Sequence, residues 1–558
     1  MKLWDHPENF SGWFLRIKGL ERTRNCLTFC NRSGREGHIM KKLTTAEYST
    51  LNFVQKLLYN IWRFLCAIPT TALSIGKGAV NGIAGFIKGF AFEIVDTINT
   101  FRKGDWKTRV SFFVMGFGNL SRGQILRGLM FLLFQIGYVV YMILPDLDGE
   151  PGGFSGGLYR LKKFTTLGDI PPGEQYDPIL DQYVLVKGDN SFDILLYGIL
   201  TILLCLAFIF LWRMNVKQSK IAQELLAKGK KLPTAKEDIK NLLDGQFHKT
   251  LLSLPLIGIT CFTVLPIIFM IFVAFTNYGG KYDGYSNLFT WVGLDNFKEL
   301  LNMGGSDSNL ANAFGRILGW TMLWAVLATF TNYFLGILVA MLINKKGVRL
   351  KKLWRGILVL TIAIPQFVSL LYVSKLFAAN GLVNSFLMNM GWIDSAINFW
   401  GTPEIGRWLV VIINIWIGIP YLMLMATGIL MNIPADMYES AKIDGASGFQ
   451  QFTKITLPYM MFVTGPYLLT SFIGNINNFN VMFLLTGGSI PNPELSTSGG
   501  SATDYDLLIT WIYSMVTGVT SNYKLSAVIA IMIFVVVATL SVIVYNVMPS
   551  TRNEEDFQ

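Results

Sequence analysis

The apolar positions of this chain gather into long runs, not into the period-two alternation of half-buried strands. A hydrocarbon layer about 30 Å thick needs roughly 20 apolar residues of helix to cross it. Runs near that length or longer lie at 126–144, 192–212, 250–276, 316–343, 357–377, 408–431, 461–485 and 525–547. The pattern predicts an all-α, polytopic membrane protein of about eight transmembrane helices. A further apolar stretch at 53–75 contains Lys56 and Arg63, which argue against a ninth crossing. Before the first run, apolar residues recur at helical spacing at Ile83, Ala84, Ile87, Ala91, Ile94, Ile98 and Phe101. Lys88, Glu93 and Asp96 fall within this segment and disfavour a span. An amphipathic helix is predicted there, on the cytoplasmic membrane surface or packed on the membrane core.

The polar intervals set the orientation. Lys and Arg number nine in 213–249 and six in 344–356, but 378–407 holds only Arg407 and 486–523 holds none. The positive-inside rule then predicts that both termini are cytoplasmic. The interval 145–191 carries four basic and eight acidic residues and is rich in Gly and Pro, so an external loop with little regular structure is expected. Four regions follow: a cytoplasmic extension, 1–125; two leading spans with a basic linker, 126–249; a six-span core, 250–548; and a tail, 549–558. Composition agrees, with 52% hydrophobic and 15% charged residues against about 25% charged in soluble domains. The net charge of +11 sits in loops between spans, which reads as membrane orientation and not as nucleic-acid binding.

Catalytic signatures are missing from the sequence. No G-x-x-x-x-G-K-[ST] loop occurs, and Gly116-x-Gly118 lacks the third glycine of a dinucleotide fingerprint. None of the three histidines falls in a plausible triad. Cys26 and Cys30, with His38 downstream, would need two more ligands to hold zinc, so unpaired thiols are the simpler reading. Met1 to Phe10 lacks the apolar core of a cleavable signal. No catalytic residue, metal or cofactor is expected in this chain.

The interval between the sixth and seventh runs has its own design. Ala435 to Ile443 suits a short helix after Pro434, and Asp444-Gly445 is a turn dipeptide. Ser447 and Gln450 match a capping box. Phe449, Phe452 and Ile455 are predicted to share a face of the second helix, and Pro458 to turn the chain toward the seventh span. Spacing alone leaves a connecting loop and a docking loop equally open. The spelling at 438–460 resembles the EAA loop of type I ABC importer permeases (MetI-like core): Glu439, Ala441, Asp444, Gly445, Ala446, Ile455, Leu457 and Pro458 match, and Ser440 replaces the usual first Ala. The order of spans, Asn475 to Phe479 and Leu485 to Gly488 extend the resemblance to sugar permeases, more narrowly to the larger maltose/maltodextrin permease subunit. Enteric members carry a large domain between spans three and four; here 277–315 is short and the N-terminus is long.

The resemblance implies that the loop docks into a cytoplasmic ATPase, with Glu439 and the Asp444-Gly445 turn transmitting its closure. It implies as partners a second homologous permease, two ABC ATPase subunits that bind the ATP and Mg, an external sugar-binding protein, membrane lipid and an oligosaccharide. Residue by residue, it places sugar contacts at Asn414, Ile417, Gly418, Tyr421, Ser471, Gly474, Asn475 and Asn478. Gly474 departs from the pattern, which has an aromatic ring there. Independently, amides suit sugar hydroxyls and Trp416 and Tyr421 offer aromatic faces. Gly418 and Pro420 are expected to thin or bend the sixth span. Interhelical hydrogen bonding accounts for the same asparagines without a ligand. Two other functions stay open: an ion-coupled secondary transporter, which needs buried acids, and a membrane glycosyl-transferring enzyme, for which Asp146, Asp148 and Glu150 are the best acids.

Overall fold

The structure is a computed structural model that describes residues 78, 81–82, 84–85, 87–144, 156–177, 181–186, 188–279, 288–301, 308–345, 347–487, 489–495, 497, 500–518 and 521–547. Cys26, Cys30, His38, the stretch 53–75, the acids at 146–150 and the tail 549–558 lie outside the described residues. The chain divides into two units. One comprises Met1–Ala91, Met461–Leu469 and Ala538–Gln558, and its described residues are helical throughout. The other comprises Phe92–Met460 and Thr470–Val537.

Twenty-one helices and one hairpin organise the described residues. The first are α1 (87–103), α2 (Trp106–Val110), α3 (Phe117–Leu120), α4 (Ile125–Ile143) and α5 (Gly157–Thr165). Then come strands β1 (Gly173–Asp177) and β2 (Gln182–Val186), an antiparallel pair with Tyr176 opposite Tyr183. Next are α6 (Ser191–Ala227), α7 (Ala235–Leu243), α8 (Phe247–Ile259), α9 (Leu265–Val273), α10 (Asp295–Leu300) and α11 (Ser308–Asn344). The remainder are α12 (Lys351–Ala363), α13 (Gln366–Leu376), α14 (Leu382–Asn389), α15 (Pro403–Leu430), α16 (Ala435–Ile443), α17 (Gly448–Gln451), α18 (Leu457–Ile476), α19 (Phe479–Thr486), α20 (Leu508–Thr517) and α21 (Tyr523–Val547).

Among the described residues, seven helical stretches are long and apolar enough to cross a membrane, and α12 with α13 makes an eighth candidate. That pair corrects the continuous span expected at 357–377, because it bends by 91°. The cause is local: Pro365 drives Ile364 out of the helical region to φ −81°, ψ 125°. Two other prolines are accommodated differently. Pro266 and Pro458 each follow one widened, π-helical turn, at Thr260–Val264 and Phe452–Thr456. The extra residue relieves the clash of the proline ring with the carbonyl four positions back. The chain therefore stays helical through Pro458, where a change of direction was expected. Pro420 likewise lies inside an unbroken α15. The loop 145–191 holds α5 and the hairpin, so it has more regular structure than its Gly and Pro content suggested. Its buried Asp189 is paired with Lys163 at 3.1 Å.

Within the larger unit, residues 93–116 are tied to the long α6. Glu93 pairs with Arg213 and Lys217, and Asp96 with Lys220 at 2.8 Å. Two of the three charges that argued against a span, Glu93 and Asp96, thus face another helix, and Lys88 is exposed. Asn215 takes the Gly116 amide at 2.7 Å and donates to the Ser111 carbonyl at 2.8 Å. Gly116 has φ +83°, and a Cβ there would fall 1.9 Å from the Gly128 carbonyl oxygen. Only glycine fits so close a backbone approach.

Two apolar clusters form the core. One joins Leu195, Ile317, Trp511 and Val528 from α6, α11, α20 and α21 with Phe289 from the segment before α10. The other joins Trp324, Leu370, Val411 and Met482 from α11, α13, α15 and α19. The helix α20 was absent from the sequence-based expectation because its 10 residues are too few to span.

Candidate translocation and coupling site

The segment 435–451 folds as the helix–turn–helix that its spacing predicted. Helix α16 ends at Ile443, and Gly445 takes φ +75°. The Ala446 amide donates to the Ala441 carbonyl at 2.8 Å and the Gly445 amide to the Lys442 carbonyl at 3.0 Å. These two bonds are the Schellman pattern that closes a helix C-terminus. Ser447 and Gln450 then form the reciprocal capping box, with the Ser447 amide 2.8 Å from Gln450 Oε1. Tyr438 and Thr456 join their hydroxyls at 2.8 Å, tying the two arms together.

What this turn offers outward is mixed in chemistry. Glu439, Asp444, Gly445 and Pro458 are exposed, and Ala441, Ala446, Ile455 and Leu457 are half-buried. Ile443 is 87% exposed and Phe449 65% exposed at the tip. Exposed aliphatic and aromatic groups on an ordered turn, beside an acid, make a surface suited to a protein cleft.

The polar residues within the helices fall into two groups. On α15, Asn414 and Gly418 lie one turn apart, with Ile417 half-buried and Tyr421 exposed. Asn414 is buried and its Nδ2 has no partner. On α18, Ser471 and Asn475 lie one turn apart, and a Cβ at Gly474 would meet nothing within 4 Å. Gly474 is exposed. Asn475 donates to Thr329 at 3.0 Å and accepts from Asn478 at 3.3 Å. Asn478 also caps α19 by accepting from the Val481 amide at 3.3 Å. A helix break at Asn477–Asn478 thus separates α18 from α19, and Asn478 is fixed by it.

Both groups meet α11. Thr329 holds Asn475, and Asn332 lies on Gly418, where a Cβ would come 2.4 Å from Asn332 Nδ2. A Cβ at Gly336 would likewise fall 2.5 Å from the Leu422 Cβ. Small residues allow these helices to close on one another. Sequence reasoning missed Thr329 and Asn332. The cost of polar groups in apolar runs was applied to the sixth and seventh spans and would have found both in the fourth.

At the end of α15 away from α16, charged groups bind the neighbouring loops. Arg407 donates through Nε to the Asp504 carbonyl at 3.0 Å and stacks 4.6 Å over the Trp320 ring. Arg316 pairs with Glu494 at 2.8 Å and lies 4.0 Å from Asp504. Burial pushes the Asp506 carboxyl up from its ordinary value, and bonds from Thr503 and Thr510 offset part of that rise.

Residues 332–552 match the sequence profile described as "Binding-protein-dependent transport system inner membrane component". The chain is 28% identical over 457 residues to the maltodextrin transport system permease protein MalC of Streptococcus pneumoniae, a match covering 80% of this chain and 97% of that protein. It is 29% identical over 443 residues to the galactooligosaccharides transport system permease protein GanP of Bacillus subtilis, covering 79% and 97%. Among solved structures, a bacterial ABC transporter involved in import of the acidic polysaccharide alginate matches with a TM-score of 0.45 and 21% identity, over 57% of this chain and 98% of that one.

Proposed function

We propose that this chain is an inner membrane component of a binding-protein-dependent transport system, as its similarity to such components over 332–552 and to sugar permeases supports, and that it forms half of the membrane path of an ATP-driven importer of neutral oligosaccharides. The observation that carries the proposal is the ordered turn at 435–451, with Glu439 and Ile443 exposed on it. A turn held by a Schellman pair and a capping box moves as a unit, so a push on its tip reaches α15 and α18. The partners it calls for are a second permease, two ATPase subunits that hold ATP and Mg, and an external sugar-binding protein. On this reading both termini are cytoplasmic.

Uncharged amides within the helices support a neutral polyhydroxylated cargo. The relatives named for maltodextrin and galactooligosaccharides support an α- or β-linked hexose oligomer. The open space at Gly474 suits a bulkier or differently linked ring than an aromatic residue there would admit.

The test is ATP hydrolysis by the reconstituted complex over a panel of α-glucans and galacto-oligosaccharides. One sugar, with its binding protein, should stimulate hydrolysis, and Glu439→Lys should abolish the stimulation. Normal uptake by Glu439→Lys, with no ATPase subunit co-purifying, would move the ion-coupled transporter to the front. A protonophore that stops uptake while ATP stays high would support that alternative.

A further inference from the structure

Span four carries two polar residues that the sugar-contacting positions of the sixth and seventh spans do not include. Thr329 and Asn332 lie three positions apart on α11, so they share one face. Thr329 is 2% exposed and Asn332 8% exposed. Thr329 accepts from Asn475 on α18 at 3.0 Å. Asn332 lies against Gly418 on α15, where a Cβ would sit 2.4 Å from its Nδ2 and 2.9 Å from its Oδ1. One face of α11 therefore touches both groups of polar residues.

Two buried polar atoms here have no partner, Asn332 Oδ1 and Asn414 Nδ2. Asn414 precedes Gly418 by four positions on α15, and residues so spaced are stacked on one helix face. An unpaired acceptor thus lies at the level of Gly418, and an unpaired donor belongs to the residue one helical turn before it on α15, both residues more than nine-tenths buried. A hydroxyl group donates and accepts at once, so it satisfies both. A carboxylate only accepts and an ammonium only donates, so each leaves one of the two atoms unpaired.

We propose that Asn332 and Asn414 together receive one hydroxyl of the transported sugar, and that Thr329 is a positioning residue that sets the Asn475 amide for the same molecule. Span four is then a third wall of the sugar site. The inference rests on the oligosaccharide reading and sharpens it, because it demands a hydroxyl at a defined ring position. Gly418 belongs to the device, since any side chain there displaces the Asn332 amide.

The experiment uses the whole reconstituted importer and the sugar that stimulates it, together with that sugar's monodeoxy analogues. For the unaltered complex, one analogue should need a roughly tenfold higher concentration for half-maximal uptake. Asn332→Leu should raise the half-saturating concentration of the parent sugar by a similar factor. It should add nothing further for the analogue, because the lost hydroxyl and the lost amide are the same interaction. Thr329→Val should shift half-saturation and Thr329→Ser should restore it. Equal losses for every analogue, or a fall in maximal uptake alone, would overturn the proposal and leave Asn332 as an interhelical contact. Should Asn332→Leu not assemble, the analogue series on the unaltered complex decides: equal response to every monodeoxy sugar sinks the inference. A complex that imports no oligosaccharide fails earlier, and that failure belongs to the functional reading.

Discussion

Asp506 shows how one side chain can make a loop sensitive to pH. Its carboxyl is pushed up by burial, and the Thr503 amide at 2.7 Å and hydroxyl at 3.0 Å stabilise the anion only in part. A carboxyl raised in the folded state stabilises that state fully below its unfolded pKa, and the contribution is lost as pH rises through the folded value. The loop before α20 should therefore gain stability as the solution is acidified from neutral pH toward the ordinary carboxylate range. Asp506→Asn should flatten this dependence, read as the thermal midpoint of the purified complex across that range. An unchanged slope in the variant would show that another group titrates. The sequence announced Asn414 and Asn475 as polar residues in apolar runs but gave no sign that Asn478 would be tied up as a helix cap. Capping depends on where the helix breaks, and the break at Asn477 lies inside one apolar run. The partnership of Asn332 with Gly418 was hidden for a related reason: it joins positions 86 apart across two helices (418 against 332).

Elements were legible where a local rule decides them. The turn at 444–447 was readable because positive φ, a Schellman pair and a capping box all act within a few residues. Gly445 at φ +75° is its weak point. A side chain there costs about 1–2 kcal/mol in the left-handed region, less for Asn than for Ala. Sugar-stimulated ATP hydrolysis should therefore fall in the order Gly445, Gly445→Asn, Gly445→Ala, with basal hydrolysis by the ATPase subunits measured alongside. Equal coupling in Gly445→Ala would mean that the turn does not transmit force. Prolines were misjudged because their outcome depends on the room around them. Pro365 bends its span by 91°, Pro420 leaves its helix whole, and Pro266 and Pro458 are absorbed by one widened turn each. A widened turn rotates the helix beyond it by about 100°, one residue of a 3.6-residue helix. Pro458→Ala removes the reason for that turn. It should change which positions of α18 are labelled by thiol reagents in single-cysteine variants, and an unchanged labelling pattern would show that the widened turn has another cause.

At the scale of the molecule, span count and loop charge were legible because a bilayer imposes them on composition. The attachment of the N-terminal segment was not, since it is made by polar residues about 100 positions apart. Its centre is Arg122, with a side chain only 2% exposed. Arg122 donates to Asp105 at 2.6 Å, Thr108 at 2.7 Å, the Gly118 carbonyl at 2.8 Å and Ser219 at 2.9 Å. Burial alone raises the Asp105 carboxyl, but Thr108 and Arg122 hold it below its ordinary value. Gln223 closes the circuit by accepting from the Asp105 amide at 3.1 Å and the Thr108 hydroxyl at 2.9 Å. Both terminal nitrogens of the arginine fork are thus engaged with the segment 105–118 or with α6. Removing one partner of a fully buried ion pair costs about 3–5 kcal/mol, and the 39% exposure of the Asp105 side chain puts the cost here below that range. Arg122→Met should accordingly free 92–120 from α6, and limited proteolysis of the intact complex should cut within that stretch before it cuts the unaltered protein. The double variant Arg122→Met with Asp105→Asn should resist better than Arg122→Met alone, because the stranded carboxylate is gone. If the two variants are cut at the same rate, the pair adds nothing, and the anchoring falls to Asn215 and its bonds to Ser111 and Gly116.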